Sequence, residues 1–357
     1  MKLLTVFGTR PEWIKLAPVF TEIEARHHQN VLLHTGQHYS PVLDREIRDS
    51  LEMKKPKYQL KMGSGAFGEQ LAMVLPTIEK IIWKEKPDFV LVQGDTNSAL
   101  AGALVAARNC IPLVHIEAGC RSGNKHSPEE QNRKLIDSIS TIHFSADSEA
   151  LANLLKEGVK GAKLVGNTGI DAVLHSSKRA SLNHLQKLKL QPEAYAVATI
   201  HRAENTDSKQ KLFARLEIVE EIGKYLPVLL AAHPRLMNAL KIHRIKISEN
   251  IRVVSPFAYL EFISLLKYCR LVASDSGGIQ EEAAILRRPC LILREETEWM
   301  RLVEAGRNFL CPTATKNTKK LIEKLCLEDK FYLSTTRKKV ELLSGASARI
   351  VRFLEKY

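Results

Sequence analysis

The sequence predicts an α/β protein of two domains, each a parallel sheet with helices on both faces, which would enclose a ligand in a cleft between them. Its 357 residues are too many for one ordinary core, because roughly 150 residues make a domain. The apolar fraction of 45% and the charged fraction of 26% are typical of globular proteins and exclude a disordered or fibrous chain. Short apolar runs alternate with longer amphipathic stretches, and this order predicts parallel sheets with helices on both faces.

The first half begins with a strand and a helix. Residues 2–7 form an apolar run, and from Pro11 to about Arg26 the apolar positions recur at helical spacing, with Pro11 suited to the first turn. Further strands are predicted at 31–36, 88–94, 111–119 and 141–147.

The second half has the same order of elements without a repeated sequence. Its predicted strands are short apolar runs that end in polar or turn-forming residues, at 194–202, 226–234, 251–257, 270–278 and 289–297. A basic, polar stretch at 176–193 separates the two series, so we expect the domain boundary near 170–190.

The net charge of +13 admits nucleic acid, an anionic membrane or a phosphorylated ligand as a partner. The lysines and arginines are spread along the chain without interleaved aromatic residues, so we interpret them as solvated surface charge and expect no nucleic-acid binding. No apolar run approaches the roughly 18–20 residues that span a bilayer. The first residues are typical of a strand and turn rather than a signal peptide, and we expect a cytoplasmic protein.

Metal and cofactor signatures are absent from the sequence. The six cysteines include no CxxC pair, so neither a thiol-rich zinc site nor a disulfide framework is expected. No DxD or HxxxH string lies near the acidic residues, and both the GxGxxG fingerprint and the P-loop pattern are missing. We therefore expect no metal and no redox cofactor.

Two loops have compositions that suit a phosphate. Asp275-Ser276-Gly277-Gly278 follows a predicted strand and opens a helix, where glycines and free N–H groups favour an anion; a simple helix cap with a glycine turn is the alternative. In the loop Gly8–Glu12, Arg10 is either a phosphate ligand or a surface arginine. Ligands of open parallel sheets bind at these strand ends.

Acidic residues follow two successive strands. Asp95 ends one and Glu117 ends the next, so the two carboxylates are expected to share a pocket in which protons can be exchanged. Glu129 opens the following helix, and Arg133 lies four residues later on the same helical face. A helix cap is the alternative role for Asp95, and complementation of the helix dipole for Glu129.

Histidines end two strands of the second half. His201 is followed by Arg202, and His233 is followed by Pro234 and Arg235. The repeated pairing of histidine with arginine slightly favours an anion site over a structural role.

Taken together, these motifs resemble the non-hydrolysing UDP-N-acetylglucosamine 2-epimerase family. The resemblance runs in order from residue 1 to about 310. The strings that carry it are FGTRPEWIKLAPV, HTGQHYS, QGDTNSALAGALVA, HIEAGCRS, PEEQNRKLID, VGNTGIDAV, IHRAEN, HPR and SDSGGIQEEA.

The resemblance implies the GT-B architecture, in which two Rossmann-like, doubly wound domains face each other across a cleft. A first domain at 1–170 would carry the proton-transfer acids, a second at 171–343 would bind UDP, and a final helix at 344–357 would cross back to the first domain. It further implies a cytoplasmic enzyme that needs no cofactor, forms a homodimer, binds a UDP-sugar and serves cell-surface polysaccharide biosynthesis.

Residue roles follow from the matching strings. Asp95, Glu117 and Glu129 match acids linked to proton transfer, and the remaining catalytic positions match Lys15, Arg133 and His201. The residues at UDP-binding positions are Arg10, His233, Arg235, Phe257, Ser276, Gly277, Gly278 and Glu282. Some members have a second, activating UDP-sugar site, and the residues where it would be built are Gln37, His38 and Gln70.

The family's reaction removes the C2 proton while UDP leaves C1, which gives a glycal to which UDP adds back. Three departures bear on sugar specificity: the bulky Trp13, a short loop before Pro128, and TEWMR at 297–301 where many members have TERPE. Open alternatives are a related substrate such as a UDP-2,3-diacetamido-uronate, a hydrolysing epimerase that releases N-acetylmannosamine, a glycosyltransferase, and a nucleotide-sugar sensor.

Overall fold

The computed structural model describes residues 1–37, 41–340 and 342–357, with residues 41–45 by their backbone alone. The chain divides into two compact units, Met1–Ala172 with Leu342–Tyr357 and Val173–Glu341. Each unit contains one sheet whose strands are all parallel, with helices in the connections.

The first unit holds a seven-stranded sheet in the order β3-β2-β1-β4-β5-β6-β7. Its strands are β1 Lys2–Phe7, β2 Gln29–His34, β3 Tyr58–Gln59, β4 Phe89–Gln93, β5 Leu113–Ile116, β6 Ile142–Ser145 and β7 Lys163–Leu164. The helices are α1 Arg10–Ala25, α2 Pro41–Ser50, α3 Phe67–Glu85, α4 Asn97–Arg108, α5 Pro128–Ile139 and α6 Ser148–Lys156, with α7 Thr168–Arg179 continuing into the second unit.

The second unit holds a six-stranded sheet in the order β10-β9-β8-β11-β12-β13. Its strands are β8 Ala196–Thr199, β9 Val228–Ala231, β10 Ile251–Val254, β11 Leu271–Ser274, β12 Cys290–Ile292 and β13 Asn308–Leu310. The helices are α8 Asn183–Lys187, α9 Ala203–Thr206, α10 Lys209–Gly223, α11 Pro234–Ile242, α12 Tyr259–Tyr268, α13 Gly277–Ile285, α14 Met300–Glu304, α15 Lys316–Leu327 and α16 Asp329–Thr336. The prediction of two doubly wound α/β sheets is confirmed.

The strand order reverses once in each sheet, between β1 and β4 and between β8 and β11. At such a point the two connections leave toward opposite faces of the sheet and open a crevice at the carboxyl ends of the strands. The loops that begin at Gly8 and Gly94 flank the crevice of the first sheet, and those that begin at His201 and Asp275 flank that of the second. Arg10 and Asp95 therefore follow the strands of one switch point, and His201 and Ser276 follow those of the other.

Small side chains bring α4 close to the first sheet. A Cβ added at Gly102 would lie 2.8 Å from the Cβ of Val6 on β1. Ala99, Leu100 and Ala101 are fully buried in the core beside it. The small-residue stretch 98–108 thus packs on its own sheet, and of its large apolar side chains Leu104 is exposed.

The last helix, α17 Ala346–Leu354, belongs to the first unit and packs against α1. Asp171 accepts hydrogen bonds from the backbone N–H groups of Gly345 and Ser347, at 2.6 and 2.8 Å, and thereby fixes the start of this helix. The ring of Phe353 meets Phe144 of β6 edge-on at 5.5 Å. Arg26 at the end of α1 pairs with Glu355 at 2.9 Å.

Three strands were not predicted from the sequence: β3, β7 and β13. Each has two or three residues, too few for an alternating pattern, and each lies at a sheet edge. β1 has the predicted bounds, and β2 has the predicted length but begins two residues earlier. The other predicted strands are shorter than expected because their polar carboxyl ends are loops. None of the helices in the described part of the chain combines the length and apolarity that a membrane span requires.

Candidate active site

Glu117 lies directly after β5 and is held by three donor contacts. Lys15 Nζ of α1 contacts both of its carboxylate oxygens, at 2.8 and 2.9 Å, and Gln93 Nε2 donates to Oε2 at 2.6 Å. The backbone φ of Glu117 is +66°, a left-handed value that is strained for a residue with a side chain. The surrounding contacts therefore hold the Glu117 carboxylate in place even though its backbone conformation is unfavourable.

Asp95 follows β4 and forms an ion pair with Arg133 of α5. The cap of α4 is the next residue, Thr96, whose Oγ1 accepts the N–H of Ala99 at 3.0 Å. The helix-cap alternative for Asp95 is thus wrong. Asn132 of α5 donates to the Asp95 carbonyl at 2.9 Å, so α5 holds this residue at both its backbone and its side chain.

The two glutamates at the start of α5 have different surroundings. Glu130 is buried and accepts the N–H of Ser122 at 2.7 Å and the guanidinium of Arg133 at 3.3 Å. Glu129 is exposed, and a hydrogen bond from the Ser127 hydroxyl lowers the pKa of its carboxyl. Among the described contacts, Arg133 reaches Asp95 and Glu130 but does not bond to Glu129.

Glu12 is a buried acid that the sequence interpretation missed. Its Oε2 accepts the N–H groups of Gly8 and Thr9, at 2.9 and 2.8 Å, and its Oε1 accepts the hydroxyl of Thr96 at 2.8 Å. Burial raises the pKa of Glu12 to about 7, although these hydrogen bonds lower it. The string Thr9-Arg10-Pro11-Glu12 is a capping box and could have revealed this contact.

Arg10 is the first residue of α1 and is half-buried beside this anchored loop. Its guanidinium has no ion-pair partner within the part of the chain that the structure describes. Trp13, one turn further along, is buried between Phe7 and His34, with ring centroids 4.5 and 5.7 Å away. This departure from the family pattern therefore lies in the core.

The residues at the predicted regulatory site lie against the start of α4. Gln37 Oε1 accepts the N–H of Ser98 at 3.0 Å, and Gln70 Oε1 accepts the side-chain amide of Asn97 at 2.7 Å. Asn97 is two residues after Asp95. His38 lies outside the described residues.

In the second unit, Asp275 is fully buried after β11 and holds the loop that follows β8. It accepts the backbone N–H groups of His201 and Arg202 at 3.1 and 3.0 Å, and the side-chain amide of Asn205 at 3.0 Å. Nδ1 of His201 lies 3.1 Å from Asp275, while the imidazole itself is 43% exposed. Burial by itself would raise the pKa of Asp275, but the hydrogen bonds from His201 and Asn205 hold it below its usual range.

The amino end of α13 is an open anion cradle. The side chain of its N-cap, Ser276, makes no capping hydrogen bond. A Cβ built on Gly278 would meet nothing within 4 Å, so space is left beside free N–H groups. Glu282 lies one turn further along the same helix and is half-buried.

The segment that departs from TERPE lies beside this cradle. A Cβ on Gly277 would be 3.6 Å from the indole nitrogen of Trp299. Glu298 pairs with Arg294 at 2.7 Å and lies 3.6 Å from Arg202. The guanidinium of Arg301 lies 5.1 Å from the Trp299 ring.

The remaining predicted UDP residues lie in loops of the second unit. His233 caps α11: its Nδ1 accepts the N–H of Arg235 at 3.5 Å, so this histidine has a structural role. Arg235 is exposed and lies 3.8 Å from Asp207. Phe257 is half-buried between β10 and α12. In the described chain, no three His, Cys, Asp or Glu residues are grouped closely enough to hold a metal ion.

The sequence matches the family model described as UDP-N-acetylglucosamine 2-epimerase over residues 21–355. The UDP-N-acetylglucosamine 2-epimerase of Methanocaldococcus jannaschii is 42% identical over 335 residues, covering 90% of this chain and 91% of that protein. The UDP-2,3-diacetamido-2,3-dideoxy-D-glucuronate 2-epimerase of Pseudomonas aeruginosa is 41% identical over 321 residues, covering 88% and 89%.

Solved structures agree with these matches. The structure of the UDP-GlcNAc 2-epimerase from Methanocaldococcus jannaschii superposes with a TM-score of 0.87 at 38% identity and covers 100% of both chains. A Streptomyces glycosyltransferase superposes with a TM-score of 0.56 at 13% identity, covering 99% of both chains, which is a likeness of fold alone. The two-domain GT-B fold is thereby confirmed.

The buried carboxyl of Glu12 predicts a pH-dependent stability. Its folded-state pKa of about 7 lies above the ordinary 4.5, so its contribution is complete below about pH 4.5 and is lost as the pH rises through about 7. Glu12→Gln keeps the neutral hydrogen bonds, because the amide can donate to Thr96. Urea denaturation at about pH 5 and pH 8 should show a fall in wild-type stability, by up to about 3 kcal/mol, that the variant lacks.

Glu69→Gln is the matched control, since Glu69 occupies the same capping position of α3 but is exposed. It should leave the pH dependence unchanged. An equal fall in wild type and Glu12→Gln would contradict the assignment.

Proposed function

Because the chain belongs to the UDP-N-acetylglucosamine 2-epimerase family, we propose that it interconverts UDP-N-acetylglucosamine and UDP-N-acetylmannosamine without hydrolysis. The observation that carries the proposal is the pair of carboxylates, Asp95 and Glu117, at adjacent strand ends. Each is paired with one cation and only partly exposed, at 26% and 13% of the side chain. Acids so placed can exchange protons with a substrate at the crevice.

Inversion at C2 requires breaking a C–H bond that is not acidic. In the proposed reaction a carboxylate takes the C2 proton, the electron pair forms a C1–C2 double bond, and the C1–O bond breaks with its electrons leaving on UDP. UDP oxygen then attacks C1 of the glycal while a proton is delivered to C2 from the other face. The reaction therefore needs two proton-transfer groups and stabilisation of the departing pyrophosphate.

The first unit supplies the proton-transfer groups in this proposal. Among the described residues, Oε1 of Glu117 has Lys15 as its hydrogen-bond partner, whereas Oε2 accepts hydrogen bonds from both Lys15 and Gln93, so Oε1 has more capacity to accept a proton. Arg133 forms an ion pair with Asp95 and orients its carboxylate. Glu129 is the third proposed proton-transfer group, because its carboxylate is exposed in the first turn of α5 and can accept a proton.

The second unit supplies the UDP ligands in this proposal. The amino end of α13, with Ser276, Gly277 and Gly278, binds the pyrophosphate, and Glu282 binds the ribose hydroxyls. His201 is oriented by Asp275 and acts beside the departing phosphate. His233, Arg235 and Phe257 of the same unit also contribute to UDP binding in this proposal, and Arg10 is the one proposed UDP ligand from the first unit.

The alternative substrates are not favoured. The family model and the Methanocaldococcus relatives carry the N-acetylglucosamine name. A direct comparison of UDP-N-acetylglucosamine with the UDP-2,3-diacetamido-uronate as substrates, read by proton NMR, distinguishes the two epimerases. Free N-acetylmannosamine as a product would identify a hydrolysing enzyme. We place the enzyme in the cytoplasm, where UDP-sugars are made, and cell fractionation tests this.

The proposed assembly is a homodimer formed by first-unit helices. Large apolar side chains are exposed on α3, α4 and α5, namely Phe67, Met73, Trp83, Leu104 and Leu135. Exposed apolar side chains on adjacent helices suit an interface between copies. Light scattering should give twice the chain mass of 40.2 kDa; a mass of one chain at working concentration would contradict the dimer.

Elimination predicts exchange of the C2 proton with solvent. In heavy water, the product should carry deuterium at C2. Glu117→Gln keeps the shape of the side chain but removes its charge, so kcat should fall by about 10²–10⁴-fold while UDP binding persists. Glu149→Gln, on the exposed first turn of α6, is the control and should be fully active. Retention of hydrogen at C2 would exclude elimination.

The open cradle at α13 predicts a selective loss of UDP binding. Gly278→Ala puts a methyl group into the space beside the helix amides without a clash inside the protein. Calorimetry should show UDP affinity reduced by about tenfold, or ~1.4 kcal/mol, with unchanged folding stability. Gly223→Ala, whose Cβ would make an ordinary 3.5 Å contact with Ile251, should bind UDP normally. Unchanged UDP affinity in Gly278→Ala would contradict the placement of the pyrophosphate.

A further inference from the structure

His115 is a buried histidine whose two ring nitrogens both face acceptors. It lies on β5, two residues before Glu117, and is fully buried. Nδ1 is 2.6 Å from Oδ1 of Asp137, and Nε2 is 2.8 Å from the carbonyl oxygen of Gly94. A carbonyl oxygen can only accept a hydrogen bond, so Nε2 must carry a proton.

Nδ1 must carry a proton as well, because Asp137 is surrounded by donors. Its Oδ2 accepts the backbone N–H of Gly119 at 3.1 Å and lies 2.7 Å from the guanidinium of Arg121. Burial alone would raise the pKa of Asp137, but its hydrogen bonds and the charge of the neighbouring Arg121 hold it below its usual range. The ionised carboxylate can offer His115 only an acceptor, so the ring is an imidazolium.

His115, Asp137 and Arg121 form an ion network, and it contacts the backbone on either side of the two candidate acids. Gly94, whose carbonyl His115 holds, directly precedes Asp95 and has a φ of +70°. Gly119, whose N–H Asp137 holds, comes two residues after Glu117. Asp137 also lies one helical turn after Arg133, the partner of Asp95, on α5. The network thus joins the ends of β4 and β5 to one helix.

We propose that His115 is a positioning residue of the epimerase: as a buried imidazolium, it fastens the Gly94–Asp95 turn to Asp137 and sets the spacing of Asp95 and Glu117. The proposal rests on the proton-transfer roles given to those two acids above. A neutral imidazole would turn a lone pair toward either Gly94 or Asp137, and one of the two contacts would become repulsive. Small displacements of catalytic groups reduce turnover far more than substrate binding.

Within the described residues, the charged or titratable partner of the ring is Asp137 on α5, which in turn contacts Arg121 after β5 and His143 on β6. His143 Nε2 donates to the carbonyl oxygen of Asp137 at 2.7 Å, and burial lowers the pKa of this imidazole, which keeps it neutral. His143 is therefore a matched control: it is buried beside the network but contacts neither Gly94 nor Gly119.

Two substitutions separate the two contacts of the ring. The amide of Gln lies where Nε2 lies in histidine, so His115→Gln can still donate to Gly94. The amide of Asn lies at the Nδ1 position, so His115→Asn can still donate to Asp137 but releases Gly94. We expect both His115 variants to lower kcat with little change in KM, because each breaks one end of the link between Gly94 and Asp137. His115→Asn should lose about 10²-fold, since it releases the turn that carries Asp95, and His115→Gln should lose less, while His143→Gln should keep wild-type kcat. Wild-type kcat in both His115 variants, or a loss confined to KM, would overturn the positioning role.

The charge state of the His115 ring can be measured on the wild-type protein by a method that does not depend on enzyme activity. Nitrogen-15 NMR of histidine-labelled enzyme at neutral pH should show both His115 ring nitrogens protonated, in contrast to His143, and this signal should be missing from His115→Gln. A neutral His115 ring would overturn the inference even in an active epimerase. Absence of epimerase activity in the wild type would instead refute the proposed function, while the NMR result would still decide the charge state.

Discussion

Buried acidic side chains hold the loops beside which the candidate catalytic groups lie. Glu12 accepts hydrogen bonds from backbone N–H groups of the loop after β1. Asp137 does the same for the loop after β5, and Asp275 for the loop after β8. Each of these loops leaves a parallel strand at its carboxyl end, where the ladder of sheet hydrogen bonds stops and backbone N–H groups need new acceptors. A buried carboxylate can satisfy several donors at once, and it fixes the loop because losing one partner leaves a charge unpaired away from water.

The acids of the first unit fall into two groups with different chemistry. Glu12, Glu130 and Asp137 are buried and receive backbone N–H groups, so their oxygens are occupied. Asp95 and Glu117 remain partly exposed at the crevice, and each has a cation as its chief partner. The first group holds the loops in place, which allows the second group to keep the fixed positions that proton transfer requires. The strained backbone of Glu117 fits this division, since strain persists where the surroundings impose it.

The same arrangement recurs in the second unit with a different outcome. Asp275 holds the His201 loop, and the helix that follows Asp275 has an open amino end at Gly277 and Gly278. One switch point thus presents carboxylates, and the other presents helix amides and an imidazole. The reversal of strand order, which is common to the two sheets, creates both crevices. The chemistry of each crevice depends on the few residues in its loops.

Much of the fold could be predicted because apolar runs and helical periodicity are local properties of the sequence. The longer strands and their loops were found in this way, and so was the position of Asp95 and Glu117 after two neighbouring strands. The edge strands β3, β7 and β13 were missed because two or three residues have no periodicity. The contact of Arg133 with Asp95 was also missed, because helical spacing pairs Arg133 with Glu129 and says nothing of a loop 38 residues earlier.

The sequence by itself determined the class of fold, the order of the elements and the strings by which the family is recognised, since each of these is written in neighbouring residues. It could not rank Glu12, Glu117, Glu129 and Glu130, which look alike as glutamates at the starts or ends of elements. Tertiary structure alone decided that Glu12 and Glu130 are buried anchors, that Glu117 faces Lys15, and that His115 lies between two acceptors. The physical reason is that burial and the charge state of an ionisable group depend on partners that are distant in the chain, and only the folded protein brings those partners together.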